Sequence, residues 1–364
     1  MSDLALEPGN SRIPKYLLAE RAVLGAIRKG SFKPGDRLPP EQALAGELGV
    51  AYMTLRRAIN RLVERGVVER RPGVGTFVRS GVVSKNLALL IFNVRSLDAG
   101  TLPARELEIL QDVAGADGRQ VRGMLMLEPL PSPGQIVSEL SRMGVGAAGL
   151  LGFLNSDADF IGVLATEMPC VLFNKPLPGV NLPYAAPDTL GAARQMVEHF
   201  RQTGRSRVGF ANLNTQHALY NELSFAIESE LHRAGMPVDK SFWFEAERYG
   251  DEPAIGDWLS ERMTASEGPD AFVLPSREAA RRTCRNLHDK GRRLSIDFEL
   301  IVTYSGSDAE QLGDPWPCME LNYADAARAA SQMLLDIVDR EKEDTGILVC
   351  RSTPRLVLPK RERR

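Results

Sequence analysis

Two rhythms of apolar residues divide the chain. In the first eighty residues they recur at helical spacing. Leu17, Leu18, Val23, Leu24 and Ile27 share one side of a segment from Lys15 to Lys29, which predicts a helix stopped by Gly30. The turn "SFKPGDRLP" follows. Pro39 and Pro40 then open a second helix, with Glu41 in its first turn, Leu44 and Leu48 on one face and Gly49 at its end. A third helix is predicted from Tyr52 to Arg65, with Leu55, Ile59, Leu62 and Val63 as its inner stripe. Ala45, Gly49 and Leu55 have the small, turn and apolar spacing of a helix-turn-helix. Val67 to Arg71 and Thr76 to Arg79 predict a hairpin around "PGVG", which completes a winged helix. No "GK[ST]" follows those glycines, so the turn is a wing tip and not a nucleotide loop.

After a short linker, "SGVVSKN", the rhythm changes. "LALLIFNV" is a near-continuous apolar run, as expected of a strand covered on both faces. Helices and such strands then alternate: "QVRGMLML", "AAGLLGFL" and "PCVLFN" in one series, then "RVGFANL", "SFWFEAE", "AFVLP" and "ELIVTYS" in a second. This alternation predicts parallel sheets with helical covers. The fold class is therefore α/β: an N-terminal winged helix-turn-helix followed by two Rossmann-like lobes. A last helix, from "YADAARAAS", and the run "RLVLP" are expected to cross back between the lobes. The expected domains are 12–79, a linker at 80–86, and a two-lobed body at 87–360.

Charge sharpens this division. Residues 11–80 carry fourteen Lys or Arg against six Asp or Glu, whereas residues 81–364 carry thirty-one against thirty-nine. A basic head on an acidic body fits an anionic polymer as partner of one end only. The four cysteines and four histidines show no metal-ligand spacing, and neither a nucleophile with its base nor a carboxylate cluster is evident. No metal, cofactor or catalysis is expected. The start of the chain has no secretory pattern and no run suits a membrane span, so the expected location is cytoplasmic. His217 is read as a surface histidine, with a place on a ligand cleft as the alternative, and Trp243, Trp258 and Trp316 as packing residues.

The stretch "GDRLPPEQALAGELGVAYMTLRRAINRLVERGVVERRPGVGTFV" resembles the DNA-binding domain of the GntR family of bacterial transcription regulators. By position, the resemblance implies DNA-facing roles for Gln42, Tyr52, Met53, Thr54, Arg56 and the wing tip at Gly73, with Arg37 and Arg71 beside phosphates. Arg56 is the expected base or phosphate contact. Arg57, Arg61, Arg70, Arg71 and Arg79 would add sequence-blind attraction. Gln42 and Tyr52 stand where the family often has arginines, and Arg57 replaces a common glutamate, so the relatives' operator sequence does not carry over to this chain.

The body, through "GLLGFLN", "PCVLFN", "DTLGAARQMVEHFRQTGRSRVGFA" and "PDAFVLPSREAA", resembles the effector core of LacI/GalR repressors and periplasmic sugar-binding proteins. The pairing is similar to arabinose-repressor-type regulators. A ligand would then lie at the carboxyl ends of the strands, between the lobes. Position nominates Arg95, Ser96, Phe153, Asn174, Tyr220, Asn221, Ser276, Ser305 and Asn322. Amides and hydroxyls with an aromatic suit a hydroxyl-rich solute such as a sugar. At Asn221 and Ser305, however, the family's frequent arginine and aspartate are missing. The expected protein is a homodimeric, effector-responsive repressor that binds a double-stranded operator.

Overall fold

A computed structural model describes residues 14–28, 31–33, 35–64, 66–79, 86–93, 101–246, 252–304, 313–339 and 348–359. The expected linker, apart from Asn86, lies outside them, as do Arg95, Ser96 and Ser305.

The head contains α1 (Lys15–Arg28), α2 (Glu41–Glu47) and α3 (Tyr52–Glu64), then β1 (Val68–Arg71) and β2 (Gly75–Val78), paired antiparallel. Its core joins Val23 of α1, Leu44 of α2 and Leu55, Ala58, Ile59 and Leu62 of α3, with Val68 and Val78 beneath the wing. Gly49 sits at φ +62° between α2 and α3, a left-handed turn that glycine adopts without steric cost. The segment before α2 adds to the wing. Leu38 N–H donates to Thr76 O at 2.8 Å, and Val78 N–H to Asp36 O at 2.8 Å.

Lobe one holds β3 (Asn86–Phe92), α4 (Leu102–Gly115), β4 (Val121–Met126), α5 (Pro133–Arg142), β5 (Val145–Leu151), α6 (Ala158–Glu167), β6 (Cys170–Phe173) and β7 (Tyr184–Pro187). Lobe two holds α7 (Thr189–Gln202), β8 (Val208–Asn212), α8 (Ala218–Arg233), β9 (Trp243–Glu245), α9 (Glu252–Thr264), β10 (Ala271–Leu274), α10 (Arg277–Asp289), β11 (Glu299–Tyr304) and β12 (Cys318–Glu320). The chain ends in α11 (Tyr323–Asp339), β13 (Val349–Ser352) and β14 (Arg355–Val357).

The sheet orders are β13-β7-β6-β5-β3-β4 and β14-β12-β11-β10-β8-β9, parallel except for β14. In β3, Ala88, Leu90 and Phe92 face one apolar cluster with Ile136, Leu140 and Ile161, while Leu87, Leu89 and Ile91 face another with Leu110, Ala330 and Leu334. Burial on both faces is why that strand reads as an unbroken apolar run. The three tryptophans pack as expected: Trp243 and Trp316 are buried, and Trp258 lies between Phe244 and Phe272.

Three strands, β7, β12 and β13, were not expected, because each is short and β7 contains a proline. β7 and β13 pair with each other at the edge of lobe one. As a result the backbone passes between lobes at β7–α7, at β12–α11 and at β13–β14. Across this hinge Asp188 N–H donates to Ser352 O at 3.0 Å, and Arg351 of β13 pairs with Glu222 of α8 at 2.6 Å.

Candidate functional site

Two surfaces qualify. The first is on the head. The buried stripe of α3 turns Tyr52 and Met53 outward, 43% and 66% exposed, although both are large and apolar enough to favour burial. Gln42, Arg56 and Arg57 are also exposed, while Thr54 is half-buried. Gly73, at φ +73°, forms the exposed wing tip beside Val74. At Gly75 a Cβ would come within 2.6 Å of Arg37 Nε, so the wing backbone rests directly on that guanidinium.

The head's cations divide into two kinds. Arg56 is exposed and has no hydrogen-bond or ion-pair partner among the described residues. Arg57 lies over the Tyr16 ring at 3.9 Å, and Arg71 lies over Phe77 and pairs with Glu69. Two others depart from the phosphate-facing role expected of them. Arg70 is held by Asn60 and Glu41, at 2.6 and 2.7 Å, which ties the wing to α2 and α3. Arg61 points away from the exposed face. It donates to Glu20 at 2.6 Å and to Glu167, the last residue of α6, at 2.7 Å. Both carboxylates are long-range partners that residue spacing along α3 does not disclose.

The second surface is a cavity of about 600 Å³ between the lobes, within the size range of small-molecule sites. Its walls come from the carboxyl ends of the strands: Gly152 after β5, Asn174 and Lys175 after β6, Ser276 after β10, and Thr303 and Tyr304 of β11. His217 and Tyr220 enter from the β8–α8 connection. Three nominated residues thus line the cavity: Asn174, Tyr220 and Ser276. Ser276 also caps α10, its Oγ accepting from Ala279 N–H at 3.0 Å.

Three others do not line it. Phe153 is fully buried in the lobe-one core, because the chain turns at Gly152 with φ +74°, pressed so close that a Cβ there would sit 2.3 Å from Phe92 O. Asn221 accepts from Asn212 and donates to Thr215 O, both at 2.8 Å, stapling the loop before α8. Asn322 turns to Asp325 at 2.6 Å.

Residues the sequence reading passed over dominate the cavity's electrostatics. Lys175 is 2% exposed, lies over the Phe153 ring at 4.8 Å, and its Nζ has no hydrogen-bond partner among the described residues. Burial pulls its ammonium down to about 7, only partly opposed by Asp157. Burial and the neighbouring Lys175 push His217 down to about 3, so the imidazole is neutral. His217 is thus a cleft residue and not the plain surface histidine expected. Beneath Asn174, burial raises Glu106 to about 8, with the Asn174 amide pulling the other way. At neutral pH that carboxyl keeps its proton and can donate as well as accept. Arg277 grips Asp314 with both its Nε and Nη2, at 2.7 and 2.9 Å.

Comparison with known proteins agrees with this division. Residues 15–78 match the model for bacterial regulatory proteins of the gntR family, and residues 197–357 match a periplasmic binding protein-like domain. The chain is 31% identical over 94 residues to the HTH-type transcriptional regulator SmoD of Agrobacterium fabrum, covering 26% of this chain and 40% of that protein. It is 36% identical over 95 residues to the histidine utilization repressor of Klebsiella aerogenes, covering 26% and 38%. The chain thus spans two fifths or less of the length of these relatives. A LacI-family regulatory protein from Chloroflexus aggregans superposes with a TM-score of 0.65 at 18% identity, covering 76% of this chain and 98% of that one. CcpA of Lactococcus lactis superposes at 0.60 with 16% identity, covering 75% and 97%. The chain joins an N-terminal gntR-family helix-turn-helix domain to a two-lobed, periplasmic-binding-protein-like domain.

Proposed function

We propose that this protein is a ligand-responsive, sequence-specific DNA-binding transcription regulator. In this reading it is a cytoplasmic repressor of genes for a sugar or related carbon source, and it has no catalytic role. The observation that carries the proposal is the joining in one chain of an exposed α3–wing surface to a cavity enclosed by two hinged lobes. The amino-terminal part of α3 would enter the major groove, with Gln42, Tyr52, Met53, Thr54 and Arg56 at or near base edges. Arg37, Arg57, Arg71 and the Gly73 backbone would lie along phosphates. A homodimer would present two heads to a two-fold-related operator. In the cleft, Asn174, Tyr220 and Ser276 would meet the solute. The solute shifts operator affinity only to the extent that it binds the lobes' two arrangements unequally.

The test selects DNA fragments from a random pool with the full-length protein, then titrates the best of them with and without a panel of sugars and related solutes. We expect selected DNA to bind at least ~1,000-fold tighter than a scrambled duplex at fixed salt, the lower end of the usual specificity range. At least one solute should change that affinity. Equal binding to selected and scrambled DNA would overturn the proposal. Within the same assay, Arg56→Ala should weaken specific binding by about 1–3 kcal/mol. Undiminished affinity would remove Arg56 from the interface.

A further inference from the structure

We propose that the solute in the cleft is an acid: a hydroxyl-bearing molecule whose carboxylate or phosphate seats on Lys175. This inference rests on the reading of the cleft as an effector site and narrows the ligand's class.

Three side chains lining the cavity carry a buried polar atom without a hydrogen-bond partner among the described residues: Lys175 Nζ and Asn174 Oδ1 from lobe one and His217 Nδ1 from lobe two. Lys175 is the decisive one. It is almost wholly buried, it lines the cavity, and nothing accepts its protons. A buried ammonium without a counter-charge is strongly unfavourable, and a buried lysine is ordinarily paired. Asp157, whose charge reaches Lys175, has its Oδ2 occupied by Leu154 N–H at 2.7 Å and the Asn93 amide at 3.1 Å. A neutral hydroxyl could accept from Lys175 but could not balance it. An incoming anion does both and restores a fully charged ammonium.

The opposite lobe agrees. Arg277 and Arg281 also line the cavity, against a single lining carboxylate among the described residues, Glu278. Arg277 is committed to Asp314, whereas Arg281 stands 3.8 Å from it and 3.9 Å from Glu278, outside ordinary hydrogen-bond range. A wall with this excess of cations runs against the acidic balance of the body as a whole. The remaining partners suit hydroxyls: the Asn174 amide and a neutral His217 each offer a donor or an acceptor on the cavity wall.

The experiment titrates full-length protein calorimetrically with glucose, glucuronate, glucose 6-phosphate and inorganic phosphate, and records operator affinity in parallel samples. We expect at least one of the three acidic probes to bind at least tenfold more tightly than glucose. Glucuronate and glucose 6-phosphate separate a carboxylate site from a phosphate site. Lys175→Met should weaken the acidic probe at least tenfold. Its melting midpoint without ligand should equal or exceed that of the wild type, since it removes a buried unpaired charge; Lys175→Gln provides a second variant. Glucose binding as tightly as the acids, no acid binding at millimolar concentration, or undiminished acid binding by both variants would overturn the proposal. Glucose binding that still shifts operator affinity would sink the acid while sparing the regulator. Loss of any preference for selected DNA would sink the regulator itself.

Discussion

Leu55→Ala should abolish operator binding while leaving the cleft able to take its ligand. Leu55 is fully buried where α1, α2 and α3 meet, against Leu44, Ile59 and Leu62. Truncating such a leucine removes its transfer energy and leaves a cavity, together costing about 2–5 kcal/mol. A head of this size draws roughly 3–5 kcal/mol from its core, so the loss rivals its whole stability. The lobes have apolar clusters of their own, in which no head residue takes part. Calorimetry on the full chain should therefore show the head's transition collapsing while that of the lobes stays in place, and gel-shift titration should show no specific complex. Retained operator binding, or a fall in the lobes' transition instead, would refute the independence of the two units.

Leu55 was legible because its role is local. The spacing of Ala45, Gly49 and Leu55 encodes one tight turn between adjacent helices, and the structure forms that turn with Gly49 left-handed. The strands of both lobes were legible for a related reason, since burial on two faces leaves an unbroken apolar run such as that of β3. β7, β12 and β13 were not legible. All three are short, and β7 is fixed by β6 on one side and on the other by β13, a pairing that reaches across most of the body.

The cleft was legible by position more than by chemistry. Asn174, Tyr220 and Ser276 follow from the rule that ligands lie beyond the carboxyl ends of parallel strands. Phe153 obeys the same rule and still fails, because the left-handed turn at Gly152 sends the next side chain into the core. Asn221 fails because its amide serves Asn212 and Thr215. Lys175 went unnoticed because a lysine following a strand looks like a solvated end. Only the folded lobe shows that it is buried. The orientation of Arg61 was equally hidden, since Glu20 and Glu167 lie 41 and 106 residues away in sequence.

That last contact carries the other large effect. Arg61 bridges Glu20 of α1, whose side chain is 3% exposed, and Glu167 of α6, whose side chain is 10% exposed. Arg61→Met would remove the cation that donates to the buried Glu20 carboxylate at 2.6 Å, and breaking a buried pair in this way typically costs up to about 3–5 kcal/mol. The head's melting transition should fall accordingly. Glu167→Gln asks a different question. It keeps the Arg61–Glu20 pair intact and weakens only the link between α3 and lobe one. If lobe one moves when the cleft closes, this link is one of the contacts through which α3 registers the motion, and it can transmit only if it differs between the two states. The ratio of operator dissociation constants with and without ligand should then fall toward unity in Glu167→Gln, by at least ~5-fold, the lower end of measured allosteric couplings. The head's melting transition should move less than in Arg61→Met. An unchanged ratio would mean that the ion pair only rests the head against the lobe, and that the ligand's signal travels by another route, such as the chain between them.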